Sequence, residues 1–380
     1  AKQAFSDSKS DLFAMFMERG FILCKPTGVN SMVTMQSWMF LSSYQAMREK
    51  LINERTISTF VQIGYNSFPE LNSKVAQACA FSINANHIDD YKGRFINLNS
   101  APQSADKNNI FLNRAKDIVY DICQHEFNKI PGAPIAYWVS DKVRAIFKKG
   151  KVIGEIAAPR QGLATSDNER FLRLWHEVSQ RNLKYSAENH QEASDSKARW
   201  FPYNKGGPYR KWYGNNEYLV NWENDGKELL EFAASLYGSP TRTIKNIQHY
   251  FKESITWSAL SSSGLSLRYN PAGFVFDTKG QCIFTEEKNL KLKIMALLNS
   301  TASHRLMEFL APTLDFNSGV IAKVPYIEAI DNIKPIEMML DIAKFDWDSA
   351  ETSWDFSTNP VVGTKQKSVQ TAFFEWKNKN

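Results

Sequence analysis

Recognition chemistry is densest in residues 199–222, RWFPYNKGGPYRKWYGNNEYLVNW. Rings at Trp200, Phe201, Tyr203, Tyr209, Trp212 and Tyr213 alternate with cations at Arg199, Lys205, Arg210 and Lys211. Cations can neutralise phosphates, and ring faces can stack on bases. Gly206-Gly207-Pro208 would let the backbone come close to a partner. The same residues also suit an aromatic core loop with its charges in water, so both readings stand. A second set is the polar run from Arg160 to Asn168, RQGLATSDN. Arg160 and Gln161 are side-chain types that read guanine and adenine edges through paired hydrogen bonds. A helix expected over 169–180 would aim its first N–H groups outward and suit a phosphate, or Asp167 or Asn168 merely caps it. Arg268 is a further cation for phosphates or bases.

Other chemistries fare less well. Cys24, Cys79, Cys123 and Cys282 are widely spaced with no CxxC pair, so neither a zinc site nor a disulfide framework is expected, and a reducing cytoplasm is. His125, His176 and His249 lack ligand-like sequence neighbours, and no metal is assigned. Asp277, Glu286 and Lys288 stand in an order that could hold Mg²⁺ beside a lysine, as in a nuclease, although Gly280 marks Asp277 as a turn residue. The chain has 380 residues, 43% hydrophobic and 13% aromatic, enough for two or three domains with ample cores. A net charge of +6 and a pI near 8.9 fit a nucleic-acid binder. No apolar run is long enough to span a bilayer and no signal peptide is present, so no membrane partner is expected.

The elements that must hold these residues follow from periodicity. A helix begins near Ser10 or Asp11 and ends at Gly20. Strands are expected over 30–35, 57–63, 75–83 and 91–98, with a helix after Ser43. A helix over 110–127 and a short one over 141–147 form a connector. Beyond it come a strand over 152–157, a weakly structured linker over 186–198, and a helix over 227–236 closed by Gly238. A helix over 242–252 precedes short strands over 255–260, 265–269, 273–277 and 281–284. Helices fill 289–299, 303–310 and part of 326–345. Trp347, Trp354 and Phe356 should pack back on the body, since a row of exposed rings invites aggregation.

Several strings carry a family resemblance: DLFAMFMERGF, NSMVTMQSWMF, ISTFVQIGYNSFPE and KVAQACAFSI, then RQGLATSDNERFLRLWHEV, WFPYNKGG, RKWYG, NWENDG and SWDF. Together they cover nearly the whole chain, which resembles the N6-adenine DNA methyltransferases, in particular the PglX type of BREX phage-defence systems. The resemblance implies an α/β protein: the C-terminal half of a doubly wound methyltransferase sheet (1–100) and a helical connector (101–145). A mixed α+β target recognition domain (146–345) and a packed C-terminal tail (346–380) follow. It implies that the target adenine is flipped into a pocket, with Phe68 of Ser67-Phe68-Pro69 stacking on it as the catalytic-site residue in this chain. Thr165 and Asn168 match a loop that opens the recognition domain near the flipped base, with Ser166 where glycine is common. DNA contacts are therefore expected from Arg160, Gln161, Thr165, Asn168, Lys205, Arg210, Lys211 and Arg268.

The sequence departs from the family at the point that matters for chemistry. It contains no Asn/Asp-Pro-Pro-aromatic motif; Asn270-Pro271-Ala272-Gly273 and Asn359-Pro360-Val361-Val362 lack the second proline and the ring. The glycine-containing S-adenosylmethionine loop is missing too. The expectation is a piece of a larger enzyme: S-adenosylmethionine in the full enzyme, no cofactor and no methylation by this chain alone. Expected partners are double-stranded DNA and, beyond it, other defence proteins or phage inhibitors that mimic DNA. The alternatives are a DNA-binding specificity module without activity, an Mg-dependent nuclease, and an RNA-binding role for the aromatic-basic stretch.

Overall fold

A computed structural model describes every residue except 1, 68–76, 103, 114–115, 313–314, 329, 363–365 and 380. It is a mixed α/β structure with several sheets, dividing into two compact units, Ala1–Gly150 and Lys151–Asn380. No helix among the described residues is long and apolar enough to cross a membrane.

The first unit carries helices α1 (Leu12–Leu23), α2 (Gln45–Glu54), α3 (Lys107–Asn113) and α4 (Asp141–Lys149). Its strands are β1 (Val29–Met35), β2 (Thr56–Gly64), β3 (Ala78–Asn84), β4 (Lys92–Asn97) and β5 (Val119–Cys123), in the sheet order β1-β3-β2-β4-β5. Strand β3 is antiparallel to both neighbours, so β1 and β2 run the same way with an inverted strand between them. One face of this sheet is buried: Thr34, Cys79, Phe81, Ile83, Phe60 and Phe95 point into a core with Trp38, Phe127, Ile135 and Tyr137. Tyr137 stacks on Phe95 with ring centroids 5.0 Å apart. Burying side chains of this size contributes roughly 1.5–3 kcal/mol each. At β1 the opposite face stays open, with Val29 and Val33 more than half exposed.

Arg48 is buried in this unit, and no ion pair engages it among the described residues. Its guanidinium donates to the carbonyls of Trp38 (2.8 Å), Leu41 (2.7 Å) and Gly132 (2.7 Å), tying 38–41 to 132–133. Burial lowers its pKa to about 10.

The helix expected over 110–127 is cut short: α3 ends at Asn113, and a strand stands in the middle of the expected range. Residues 119–123, VYDIC, carry β-branched and aromatic side chains and pair antiparallel with β4, where Arg94 and Asp121 form a two-pronged ion pair across the ladder. Tertiary pairing overrides a helical periodicity that is real but short.

The second unit contains β6 (Lys151–Val152), α5 (Ile153–Ile156), β7 (Ala158–Arg160), α6 (Asn168–Phe171), β8 (Leu172–Leu174), α7 (His190–Asp195), β9 (Trp200–Asn204) and β10 (Tyr218–Asn221). There follow α8 (Glu223–Tyr237), β11 (Ser254–Ser258), β12 (Leu267–Asn270), β13 (Val275–Phe276), β14 (Gly280–Phe284), α9 (Lys288–Asn299) and α10 (Thr301–Leu310). The last elements are α11 (Ser318–Ile321), β15 (Pro325–Tyr326), α12 (Lys334–Asp348) and α13 (Val369–Lys379). Two four-stranded sheets form, β13-β9-β10-β8 and β12-β11-β14-β7, and β15 pairs with β6. Asn204 couples the two sheets: its side-chain amide donates to the Gly280 carbonyl at 3.1 Å and to Thr256 Oγ1.

Three expected elements differ here. The strand over 152–157 is a two-residue bridge followed by one helical turn. The helix over 242–252 is replaced by 3-10 turns at Pro240–Arg242 and Ile247–His249, with Asn246 left-handed between them. The helix over 169–180 lasts one turn, Asn168–Phe171, because Leu172–Leu174 is drawn into the sheet against β10. The helix closed by Gly238 (φ 75°) is present, entered through left-handed Asn224, Asp225 and Gly226. Trp354 packs between Tyr185 and Phe274, and Trp347 is buried.

Candidate nucleic-acid interface

The aromatic-basic stretch is mostly core. Trp200–Asn204 is β9, and Phe201, Tyr203, Trp200 and Tyr213 are all less than a tenth exposed, so their faces are taken by protein. Of the rings singled out, Tyr209 is the exposed one, at 41%. Tyr203 donates to the buried Asp277 carboxylate at 2.6 Å, and burial beside that charge raises its pKa well above the ordinary tyrosine value. Asp277 also accepts from the Lys279 N–H and from Thr278, which makes it the turn residue that Gly280 suggested. Lys288 faces Glu337. Asp277 is thus a turn residue and Lys288 belongs to a surface pair.

The cations of the stretch divide. Lys205 lies over the Tyr218 ring at 4.8 Å, at the mouth of Gly206-Gly207. Arg210 turns inward: Nε donates to the Tyr213 carbonyl at 2.9 Å, the guanidinium pairs with Asp346, and it lies 5.0 Å from the Trp347 ring centroid. Lys211 donates to the Asn299 carbonyl at 2.7 Å and so caps the C-terminus of α9. Arg268 is fully buried in β12, donating to the Arg210 carbonyl at 3.3 Å, and burial lowers its pKa to about 10. These last three are committed to internal partners, which corrects the expectation that they are free to hold phosphates.

Loop 160–168 fares differently. Leu163 donates to the Phe276 carbonyl at 2.9 Å, and the Thr278 N–H donates back to Leu163 at 3.0 Å. Gly162 makes this approach possible, since a Cβ there would sit 1.7 Å from the Phe276 carbonyl oxygen. Next along, the Asp277 N–H donates to the Asn204 carbonyl at 2.9 Å. On the other side, the Ala164 N–H donates to the Thr243 carbonyl and the Asn246 amide donates to the Gln161 carbonyl, both at 2.9 Å. One rim of the second unit therefore gathers four segments: 240–252, 160–168, 276–279 and 204–207.

On that rim Arg160, Gln161 and Asn168 are exposed, while Thr165 is buried and donates to the Asn168 side chain at 2.6 Å. Ser166 is left-handed (φ 61°), where glycine would be at ease. Asp167 does cap, accepting from the Arg170 N–H at 3.0 Å, but one helical turn makes no phosphate-binding helix end. Arg242, Lys252 and Lys279 are also exposed here. Among the described residues, no ion pair engages Arg160, Lys205, Arg242, Lys245, Lys252 or Lys279. His249 lies among them, stacked on Phe284 at 4.5 Å; burial and the charges of Arg160 and Lys252 lower its pKa. The sequence places 242–252 in a helix and does not join Arg242, Lys245 or Lys252 to Arg160. Their common signal is position on two segments that the sequence separates by about eighty residues and backbone hydrogen bonds bring together.

Phe68, the expected stacking residue, lies outside the described residues; the strand before it ends at Gly64 and Ser67 accepts from the Ala78 N–H at 3.1 Å.

Comparison with known proteins bears on this arrangement. Residues 1–68 match the family model of the Eco57I restriction-modification methylases. The chain is 39% identical over 368 residues to the adenine-specific methyltransferase BrxX of Escherichia coli O9:H4 (strain HS), covering 96% of this chain and 29% of that protein. It is similar along nearly its whole length to PglX-type adenine-specific methyltransferases. PglX of Lacticaseibacillus casei (strain Zhang) is 36% identical, with 97% of this chain and 31% of that protein covered. The chain thus spans about 30% of the length of the curated relatives it matches. Among solved structures, the type IIL restriction-modification enzyme MmeI with DNA aligns at 11% identity and a TM-score of 0.48, over 99% of this chain and 50% of that one. A nuclease-deletion mutant of the type ISP enzyme LlaGI with a DNA substrate mimic aligns at 10% identity and 0.49, over 90% and 31%. Likenesses of that size carry no argument about contacts.

Proposed function

We propose that this chain supplies DNA target recognition to a site-specific adenine-N6 methyltransferase of phage defence, with the rim around loop 160–168 as the DNA-facing surface. The observation that carries this reading is the gathering of Arg160, Lys205, Arg242, Lys245, Lys252 and Lys279 onto adjoining segments with no carboxylate paired to them among the described residues. Cations without a paired carboxylate suit a phosphate backbone, and the exposed Arg160 and Gln161 among them are side-chain types that can read base edges. Similarity to adenine-specific methyltransferases over nearly the whole chain supports the enzyme class.

The first unit fits the later half of a methyltransferase sheet. Its inverted β3 between parallel β1 and β2, the open β1 edge and the open face at β1 are what such a half would show. S-adenosylmethionine would donate the methyl group in the full enzyme. The residues of this chain supply neither its glycine loop nor the Asn/Asp-Pro-Pro-aromatic motif, so no step of the transfer is assigned to them; Phe68 is proposed only as a ring against the flipped base.

Binding of the 380-residue chain to duplex DNA across a salt series tests the reading. Affinity should fall steeply with salt, with a slope of about −0.9 per phosphate contact. Binding that ignores salt, or equal affinity for single-stranded RNA, would overturn it.

A further inference from the structure

A separate cluster lies in the first unit, where β5 ends. Cys123, its last residue, pairs across the ladder with Lys92, and Asp90 sits two residues before Lys92 in a turn with φ 54°. The side chain of Gln124 turns inward: it accepts from the Ile57 N–H at 2.9 Å and donates to the carbonyls of Ile52 and Arg55. That anchors Gln124 at the start of the 3-10 turn Gln124–Lys129, and Cys123 and His125 on either side of it line the same cleft. Cys123 Sγ is 3.0 Å from His125 Nδ1, and ligand atoms of Cys123, His125 and Asp90 all lie within 4.8 Å of one another. Sequence spacing showed no ligand-like neighbour for His125; the turn before β4 provides Asp90.

We propose that Cys123, His125 and Asp90 form a zinc site that clips the β3–β4 turn to the end of β5. Ligands at about 2.0–2.3 Å from Zn²⁺ stand roughly 3.3–3.8 Å apart at tetrahedral angles, within reach of these side chains. The surroundings have the form a metal histidine requires. His125 Nε2 lies 3.2 Å from Glu126, and Glu126 is itself held by Lys129. A carboxylate on Nε2 fixes the proton there and leaves the Nδ1 lone pair facing Cys123 and the metal. A thiolate beside an imidazole and a carboxylate suits Zn²⁺ or Co²⁺ and disfavours Mg²⁺ and Ca²⁺. The three residues line a cleft of about 400 Å³ together with His87, whose Nδ1 lies 3.1 Å from the Arg55 carbonyl.

Co²⁺ titration of the full chain, followed by Zn²⁺ displacement, tests this. The expected result is one Co²⁺ per chain with a thiolate-to-cobalt charge-transfer absorption that Zn²⁺ removes. Cys123→Ser should abolish the absorption and Cys24→Ser should leave it. His125→Ala and Asp90→Asn, both at exposed positions, should each weaken binding by about tenfold or more. Absorption that is absent, that survives Cys123→Ser, or that keeps its affinity in both exposed-site variants overturns the assignment.

Discussion

The Arg210 guanidinium lies 5.0 Å from the Trp347 ring centroid, with Asp346 beside it. A cation chosen from the sequence as a phosphate contact is thereby the clasp that holds the end of α12 against the β9–β10 connection. Arg210→Ala should lower the melting temperature, since a partly exposed cation–π contact and ion pair together contribute about 1–2 kcal/mol. DNA affinity per folded molecule should stay within about twofold. A large loss of affinity with an unchanged melting curve would return Arg210 to the interface.

Charge reversal on the rim should do the opposite. Arg160→Glu and Arg242→Glu should leave the melting temperature nearly unchanged, because both side chains are exposed and neither joins an ion pair among the described residues. Each should weaken DNA binding for all sequences and reduce the salt slope by about one for every phosphate that is no longer neutralised. Gln161→Ala should instead relax preference at one base position, by roughly 1–3 kcal/mol of discrimination, if a competition series is read base by base.

Legibility in the sequence differs from residue to residue. The helix closed by Gly238 is readable, because helix ends are local chemistry. Phe171 and Leu174 have the spacing of one helical face and do not share a helix. The run of which they are part breaks after Phe171, since Leu172–Leu174 finds a partner strand almost fifty residues away. Residues 119–123 depart from their helical pattern for the same reason. Arg210, Lys211 and Arg268 look like surface cations because residue type says nothing about which carbonyl waits across the fold. The resemblance, by contrast, is carried by long strings and does not depend on getting the elements right.

Gly162→Ala should damage fold and binding together. Its Cβ would meet a backbone carbonyl oxygen, which cannot rotate away, so loop 160–168 must leave strand β13. Overpacking of this kind costs about 1–3 kcal/mol, and urea titration of the variant would measure it. Wild-type stability in that variant would mean that the loop does not dock on β13.

His249 makes stability pH-dependent. Its folded pKa lies below the ordinary 6.5, so the unfolded chain binds more protons as pH drops through and below that value. Stability should therefore fall on acidification from pH 7, and His249→Phe, which keeps a ring against Phe284, should flatten that part of the profile. Melting curves between pH 7 and 5 for both proteins would show it. Binding of DNA phosphates near Arg160 would neutralise the repulsion that depresses this pKa, so the acid loss should shrink when DNA is present.

The outer edge of β1 has a consequence for handling the protein. A strand that pairs on one side only among the described residues, with Val29, Val33, Leu12 and Phe16 exposed, offers a ready template for a second copy of itself. Concentrated samples of this chain should self-associate through that strand, and oligomers should grow with protein concentration in light scattering. Placing lysine at Val29 or Val33 is the smallest change that should keep it monodisperse, without touching a residue that the DNA-facing rim uses.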